Sequence, residues 1–215
     1  TIQPALEKKI PITVKNTFAP NDKGSLITEN PKVNGHIVKG FSSIDEISLI
    51  TVTGTGLVGV HGMAARMFTA LGNAEVNTFF ITHSSSEHTM SIGVSSSMVE
   101  SACDSLDSEF RQEIERKRVN PAFYESKLSI IALVGEKMKQ AVGTAGRAFK
   151  LLGDNGINIR AISQGSTERN ISIVIADKDT RKALNVLHDG FFLSKYRKVH
   201  LFNVGVGTVG GTMLN

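Results

Sequence analysis

The sequence has a single cysteine, Cys103, among its 215 residues. That excludes an intrachain disulfide and fits a reducing compartment. Cys103 reads as a small apolar residue on a helix face. No apolar run approaches the roughly 18 residues that a membrane-spanning helix needs, so no such span is expected. The start, Thr1-Ile2-Gln3-Pro4, has no initiator Met and none of the marks of a signal peptide. It reads as a cut, with more chain expected upstream. The net charge is +4, and basic residues cluster at Arg116-Lys117-Arg118 and Lys195-Tyr196-Arg197-Lys198. No RNA- or DNA-binding motif accompanies these runs, so they read as solvated faces and no nucleic-acid partner is expected. His83 and His88 have no carboxylate or cysteine at ligand spacing, so no metal site is expected.

What the chain does have is a long internal repeat. Residues 47–94 return at 128–175 with a constant offset of 81 and no gaps, and 15 of the 48 pairs are identical. Gly54/Gly135, Arg66/Arg147, Phe68/Phe149, Gly72/Gly153, Asn77/Asn158 and Ser91/Ser172 are among them. A repeat of this length is a whole supersecondary unit and not a solenoid coil. With 40% apolar residues the chain can build a packed core, though one repeat alone buries little.

The first copy opens on a β-branched strand at 47–52, followed by a Gly-rich loop. Met63, Met67, Phe68 and Leu71 then recur at helical spacing, with Gly72 placed as a stop. Strands are expected at 76–82 and 89–94, and a second helix carries Val99, Cys103, Leu106 and Phe110 on one face. The second copy has strands at 128–134, 157–163 and 171–176 and helices at 144–152 and 179–192, the last capped by Asp177 or Asp179. Before the repeat, residues 10–14 read as a strand, and Asn30-Pro31, Asn34-Gly35 and Lys39-Gly40 as turns.

Each copy is thus β-α-β-β-α and needs one more strand from nearby chain, the α+β split arrangement of ferredoxin-like folds. Both helices of a copy must cover the same sheet face. Two copies placed side by side would protect their edges and create clefts between them. After a strand at 199–204, Gly205-Val206-Gly207-Thr208-Val209-Gly210 forms the G-x-G-x-x-G pattern of dinucleotide-binding turns. The chain ends five residues later, so no working cofactor site is expected on Gly205, Gly207 and Gly210.

With these parts placed, the chain resembles one family. Residues 160–172, centred on Gln164-Gly165-Ser166-Thr167-Glu168, resemble the second regulatory repeat of bifunctional aspartokinase–homoserine dehydrogenases, and residues 80–91 the first. Both would be ACT domains. Pro11-Ile12-Thr13-Val14-Lys15-Asn16-Thr17-Phe18 resembles the end of the family's kinase domain, and residues 201–214 the start of its dehydrogenase domain. The resemblance implies tandem ferredoxin-like (βαββαβ) ACT domains packed side by side, flanked by fragments of a kinase and a Rossmann domain. The expected boundaries are 1–40 for the kinase tail, 41–125 and 126–195 for the two ACT domains, and 196–215 for the dehydrogenase start. The parent would use ATP with Mg and NAD(P)H. This segment would hold no catalytic residue and no cofactor of its own.

The resemblance also implies threonine feedback inhibition, homo-oligomers formed through the ACT domains, and a cytoplasmic or plastid location. A free amino acid needs anion donors, acceptors for its ammonium and a specific side-chain contact. The loops at 54–61 and 135–142, bounded by Gly54, Gly135 and Val142, run into helix N-termini whose N–H groups suit a carboxylate. Asn77 and Asn158 offer amide oxygens, or serve as plain turn residues. Gln164 stands where the family places a glutamine linked to threonine recognition. The offset puts His83 at the matching position, where the family has another glutamine. The other readings are an effector-free structural module and a lysine-responsive region.

Overall fold

The computed structural model describes residues 2–28, 37–57, 62–84, 88–135, 138, 141–165 and 170–193. They fall into two units, Thr1–His36 and Ile37–Asn215. The first holds helix α1 (Gln3–Glu7) and the short strands β1 (Ile12–Val14) and β2 (Ser25–Ile27), paired antiparallel with Ile12 opposite Ile27. Val14, Phe18 and Leu26 stay exposed there.

The second unit runs β3 (Val38–Thr53), α2 (Met63–Asn73), β4 (Thr78–Ser84), β5 (Thr89–Ser95), α3 (Val99–Glu109), α4 (Arg111–Glu115), β6 (Phe123–Gly135), α5 (Thr144–Asp154), β7 (Ile159–Gln164), β8 (Asn170–Ala176) and α6 (Thr180–Phe192). Its six strands form one antiparallel sheet in the order β4-β5-β3-β6-β8-β7.

The missing strand of each repeat comes from the other repeat's leader. The second half of β3 pairs with β5, and the second half of β6 pairs with β8. The first half of β3 lies against the second half of β6, with Ser43 opposite Ile131 and Phe41 opposite Leu133. The reverse also holds, with Tyr124 opposite Ile50 and Phe123 opposite Thr51. Each module therefore has the fourth-first-third-second strand order of a ferredoxin-like sheet. Ile47 faces Leu128, its own counterpart in the repeat, so that pair marks an internal two-fold axis.

The backbone repeats with the sequence. Positive φ occurs at Glu46 and Lys127, at Gly62 and Gly143, and at Glu75 and Gly156, each pair related by the offset of 81. Glu46 and Lys127 mark where the leader half of a strand gives way to the module half. These non-glycine residues at positive φ are uncommon. The irregular register between Ile44 and Ile47 falls at the first of them.

Three sequence expectations change. Lys39-Gly40 is not a turn but part of β3. Its polar leader lacked the β-branched run that marked the rest. Gly72 lies inside α2, and the chain leaves the helix at Ala74 with Glu75 at positive φ. Asp179 occupies the N-cap of α6 without a side-chain cap bond, because Asp177–Asp179 forms a 3-10 turn that continues into the helix. The basic run at 195–198, the expected strand at 199–204 and Gly205, Gly207 and Gly210 lie outside the described residues.

Helices α2 and α3 cover one face of the first module around Ile50, Met67, Leu71, Ile92, Leu106 and Phe110. Helices α5 and α6 cover the second around Ile131, Leu133, Leu152, Ile173 and Leu187. Each such side chain fully buried contributes about 1.5–3 kcal/mol. A third cluster lies on the face without helices and draws on both modules: Ile47, Leu49, Phe80, Leu128, Ile130 and Val174, with Ala161 packed against it. The sheet folds over this cluster, so its edge strands β4 and β7 touch.

Cross-strand pairs in that cluster exchange size between the modules. Phe80 stands opposite Gly93, and at the same two positions Ala161 stands opposite Val174. A Cβ on Gly93 would lie 2.9 Å from Phe80 Cβ. Gly93→Val should therefore destabilise the chain by about 1–3 kcal/mol in urea unfolding. Phe80→Ala combined with Gly93→Val rebuilds the second module's pair and should recover part of that loss; additive losses would refute the size-exchange account.

Arg66 and Arg147 lock the helices of their modules in the same way. The Arg66 guanidinium lies 4.8 Å from the Phe110 ring centre, and Arg147 lies 5.0 Å from that of Phe191. Arg66 donates to the Glu109 carbonyl, and Arg147 to the equivalent Gly190 carbonyl. The first module adds two carboxylates, Glu109 and Glu113, each 2.6 Å from Arg66. Hydrogen bonds from Arg66 hold the Glu113 carboxyl below its usual range. A lowered folded value means stability that is present above the unfolded value near 4.3 and lost as pH falls through the folded one. Wild type should exceed Glu113→Gln by no more than about 1 kcal/mol at neutral pH, since the pair is partly solvated. Thermal melts should show that advantage vanishing at acid pH, and an advantage unchanged at low pH would contradict the pairing.

Candidate effector site

The strand-to-helix junctions are built twice on the same plan. Gly54, at φ +154°, would place a Cβ 2.3 Å from the Arg118 carbonyl oxygen, and Gly135 would place one 2.3 Å from that of Ile37. Arg118 and Ile37 are themselves related by the offset of 81. Only glycine lets the incoming leader cross so closely at both junctions. Gly56 adds a backbone bond to the Arg118 carbonyl at 2.8 Å, and Gly54 donates to the His88 carbonyl at 3.1 Å. The two glycines thus have a packing role whatever their part in binding. Gly54→Ala and Gly135→Ala should each lower stability by about 1–3 kcal/mol in calorimetric melts; an unshifted midpoint would show that the leaders have room to move.

Helices α2 and α5 begin on Gly62 and Gly143, both left-handed and neither supplying a side-chain cap. Thr144 Oγ1 donates to the Ala141 carbonyl at 3.2 Å, so it does not cap the helix either. The Thr144 N–H also points to the Ala141 carbonyl, at 3.5 Å. Val142, next to this end of α5, is fully exposed.

Asn77 and Asn158 precede the edge strands β4 and β7, while His83 and Gln164 lie at their far ends, and all four are exposed. Along one strand, six residues span roughly 20 Å, more than one free amino acid can bridge. Asn158 and Gln164 of one module cannot hold the same molecule. The contact between β4 and β7 offers another combination. A cavity of about 290 Å³ lies along it, lined by Thr78, Phe79 and Ile81 of one module and by Ser163, Gly165 and Asn170 of the other. Thr78 follows Asn77, and Ser163 and Gly165 flank Gln164. The start of β4 therefore meets the end of β7. The seam brings the neighbourhoods of Asn77 and Gln164 together, but its lining includes neither of them, nor Gly54, Gly135, Val142, Asn158 or His83.

Sequence reasoning missed Thr78, Ser163 and Asn170 as lining residues. The available signal was their place on edge strands beside the singled-out amides. Cys103 packs against the first module's core, where burial pushes its thiol up to about 11, leaving it protonated at neutral pH. Among the described residues no group of three metal-ligating side chains comes together, and no helix is long and apolar enough to cross a membrane.

The family model of the ACT domain matches residues 50–110 and 131–191, one match in each module. The chain belongs to the ACT-domain family and carries two copies of the domain. Along its whole length it is 40% identical to a bifunctional aspartokinase/homoserine dehydrogenase of Haemophilus influenzae, covering 26% of that protein. It is 36% identical to a chloroplastic bifunctional aspartokinase/homoserine dehydrogenase of Daucus carota, covering 24% of it. The chain thus spans about a quarter of the length of these relatives. A solved structure of aspartokinase alpha and beta subunits matches with a TM-score of 0.62 and 25% identity, over 72% of this chain and 98% of that one.

Proposed function

We propose that this chain is the regulatory region of a bifunctional aspartokinase/homoserine dehydrogenase and that its paired ACT domains bind threonine. The observation that carries the proposal is the seam cavity, where the end of β7 beside Gln164 meets the start of β4 beside Asn77. Whole-length similarity to bifunctional relatives supports the parent enzyme. Such a parent would phosphorylate aspartate with ATP and Mg and reduce aspartate semialdehyde with NAD(P)H, in cytoplasm or plastid. The exposed Val14, Phe18 and Leu26 support reading residues 1–40 as the fringe of a kinase domain whose remainder would cover them.

In this reading a primary amide at Gln164 donates to and accepts from the threonine hydroxyl. Asn77 accepts from the ammonium, and an uncapped helix start, on this chain or on a second copy in the oligomer, takes the carboxylate. A ligand held between β4 and β7 favours the arrangement of the modules that closes on it, and so shifts the population of the whole region. A sensor of an end product needs a Kd of about 0.1–1 mM. A coupling of about 1–3 kcal/mol to the catalytic domains is enough for a 5- to 150-fold response. The counterpart cleft carries His83 in place of glutamine and is the weaker of the two.

Isothermal titration of the chain with threonine, lysine, methionine and homoserine tests the reading. Threonine should bind at submillimolar Kd, and Gln164→Ala should weaken it at least tenfold, while His83→Ala has a smaller effect. Lysine binding without threonine binding would overturn the effector assignment. Unchanged affinity in Gln164→Ala would overturn the site.

A further inference from the structure

The internal two-fold exposes a second hollow that shares no lining residue with the seam. In the first module, Ser48 Oγ lies 2.9 Å from Ser96 Oγ and 2.8 Å from Ser126 Oγ, so three hydroxyls satisfy one another. The offset of 81 carries Ser48 to Ser129, Ser96 to Asp177 and Ser126 back to Asp45. In the second module the trio is broken. Ser129 is completely buried, and its Oγ has no hydrogen-bond partner among the described residues. The buried Thr180 Oγ1 has none either. Both side chains line a cavity of about 420 Å³ together with Asp45, Glu46, Asp177, Lys178 and Arg181.

Three carboxylates and two cations share this hollow, and among the described residues none of the five is in an ion pair. A simple anion would meet Asp45 and Asp177, and a simple cation would meet Lys178 and Arg181. No group of metal-ligating side chains forms there among the described residues. A molecule carrying both charges satisfies both the three carboxylates and the two cations. The thirteen-residue helix α6 starts at the cavity, where the 3-10 turn Asp177–Asp179 runs into it and the Asp177 carbonyl accepts a backbone N–H. An orphaned buried hydroxyl gains most from a ligand that hydrogen-bonds to it.

We infer that this cavity is a second ligand site, for a small zwitterion with a neutral polar side chain: an α-amino acid bearing an amide or hydroxyl. Its carboxylate meets Arg181 and Lys178, and its ammonium meets Asp45 and Asp177, with Glu46 beside them. Its side chain reaches Ser129 and Thr180. The site is independent of the threonine reading and of Gln164.

The test is an NMR titration of the full chain with L-asparagine, following amide shifts at Ser129 and along residues 177–185. Saturable shifts at millimolar concentration are expected. Asp45→Ser with Asp177→Ser rebuilds the first module's hydroxyl trio around Ser129, and should weaken binding at least tenfold without lowering the melting midpoint. Arg181→Gln, an exposed position that supplies the same readout if the double variant folds poorly, should also weaken binding at least tenfold. Gln164→Ala should leave the titration unchanged, whatever it does to threonine. The proposal is overturned if wild type shows no saturable shift at these residues, or if the double variant or Arg181→Gln binds as wild type. Loss of binding in Gln164→Ala would likewise sink it, as would acetate saturating the site as tightly as asparagine.

Discussion

The structure depends on the reciprocal exchange of leader strands between the two repeats. A β-α-β-β-α unit leaves one side of its first strand open, and unpaired backbone groups there are a standing liability. Here each open side is filled by the chain that leads into the other unit, Val38 to Ile44 on one side and Phe123 to Glu125 on the other. The central strands are thereby continuous across both modules and the sheet has no break between them. The glycine junctions, the positive-φ residues at Glu46 and Lys127 and the Ile47–Leu128 pair on the axis all serve that exchange.

This arrangement explains what the residues revealed and what they concealed. The helices were legible because Met63, Met67 and Leu71 keep one face in register with the core, as do Ala183 and Leu187. The inner strands were legible because β5 and β8 alternate buried aliphatics with small side chains, as in Ile171-Ser172-Ile173. The leader strands were not. Phe41, Ser42 and Ser43 are only half covered or exposed, so they lack an apolar rhythm, and Lys39-Gly40 imitates a turn. Their pairing is a long-range property that no local pattern records.

The candidate sites were legible in a narrower sense. The repeat singled out Asn77, Asn158, His83 and Gln164 by position, but not which of them lie near one another. Strand geometry separates Asn158 from Gln164, and the folding of the sheet joins opposite ends of β4 and β7 instead. The hollow around Ser129 could not be read at all without the structure. Its signal is a difference between two equivalent places, Ser48 satisfied and Ser129 orphaned. Duplication thus supplies an internal control: where two copies share a fold, a departure in one of them marks a position released from its structural duty.

Strand exchange also bears on how the chain comes into being. Val38 pairs with Gly135 across a separation of about a hundred residues, and contacts that distant are slow to form. During synthesis the first module's helices can collapse on their own strands, but its sheet stays open until the leader of the second repeat emerges. The first repeat's leader meanwhile waits without a partner until β6 is complete. The pair must then close in one concerted event, so the unit that folds, and that proteolysis or quality control would judge, is the duplicated whole.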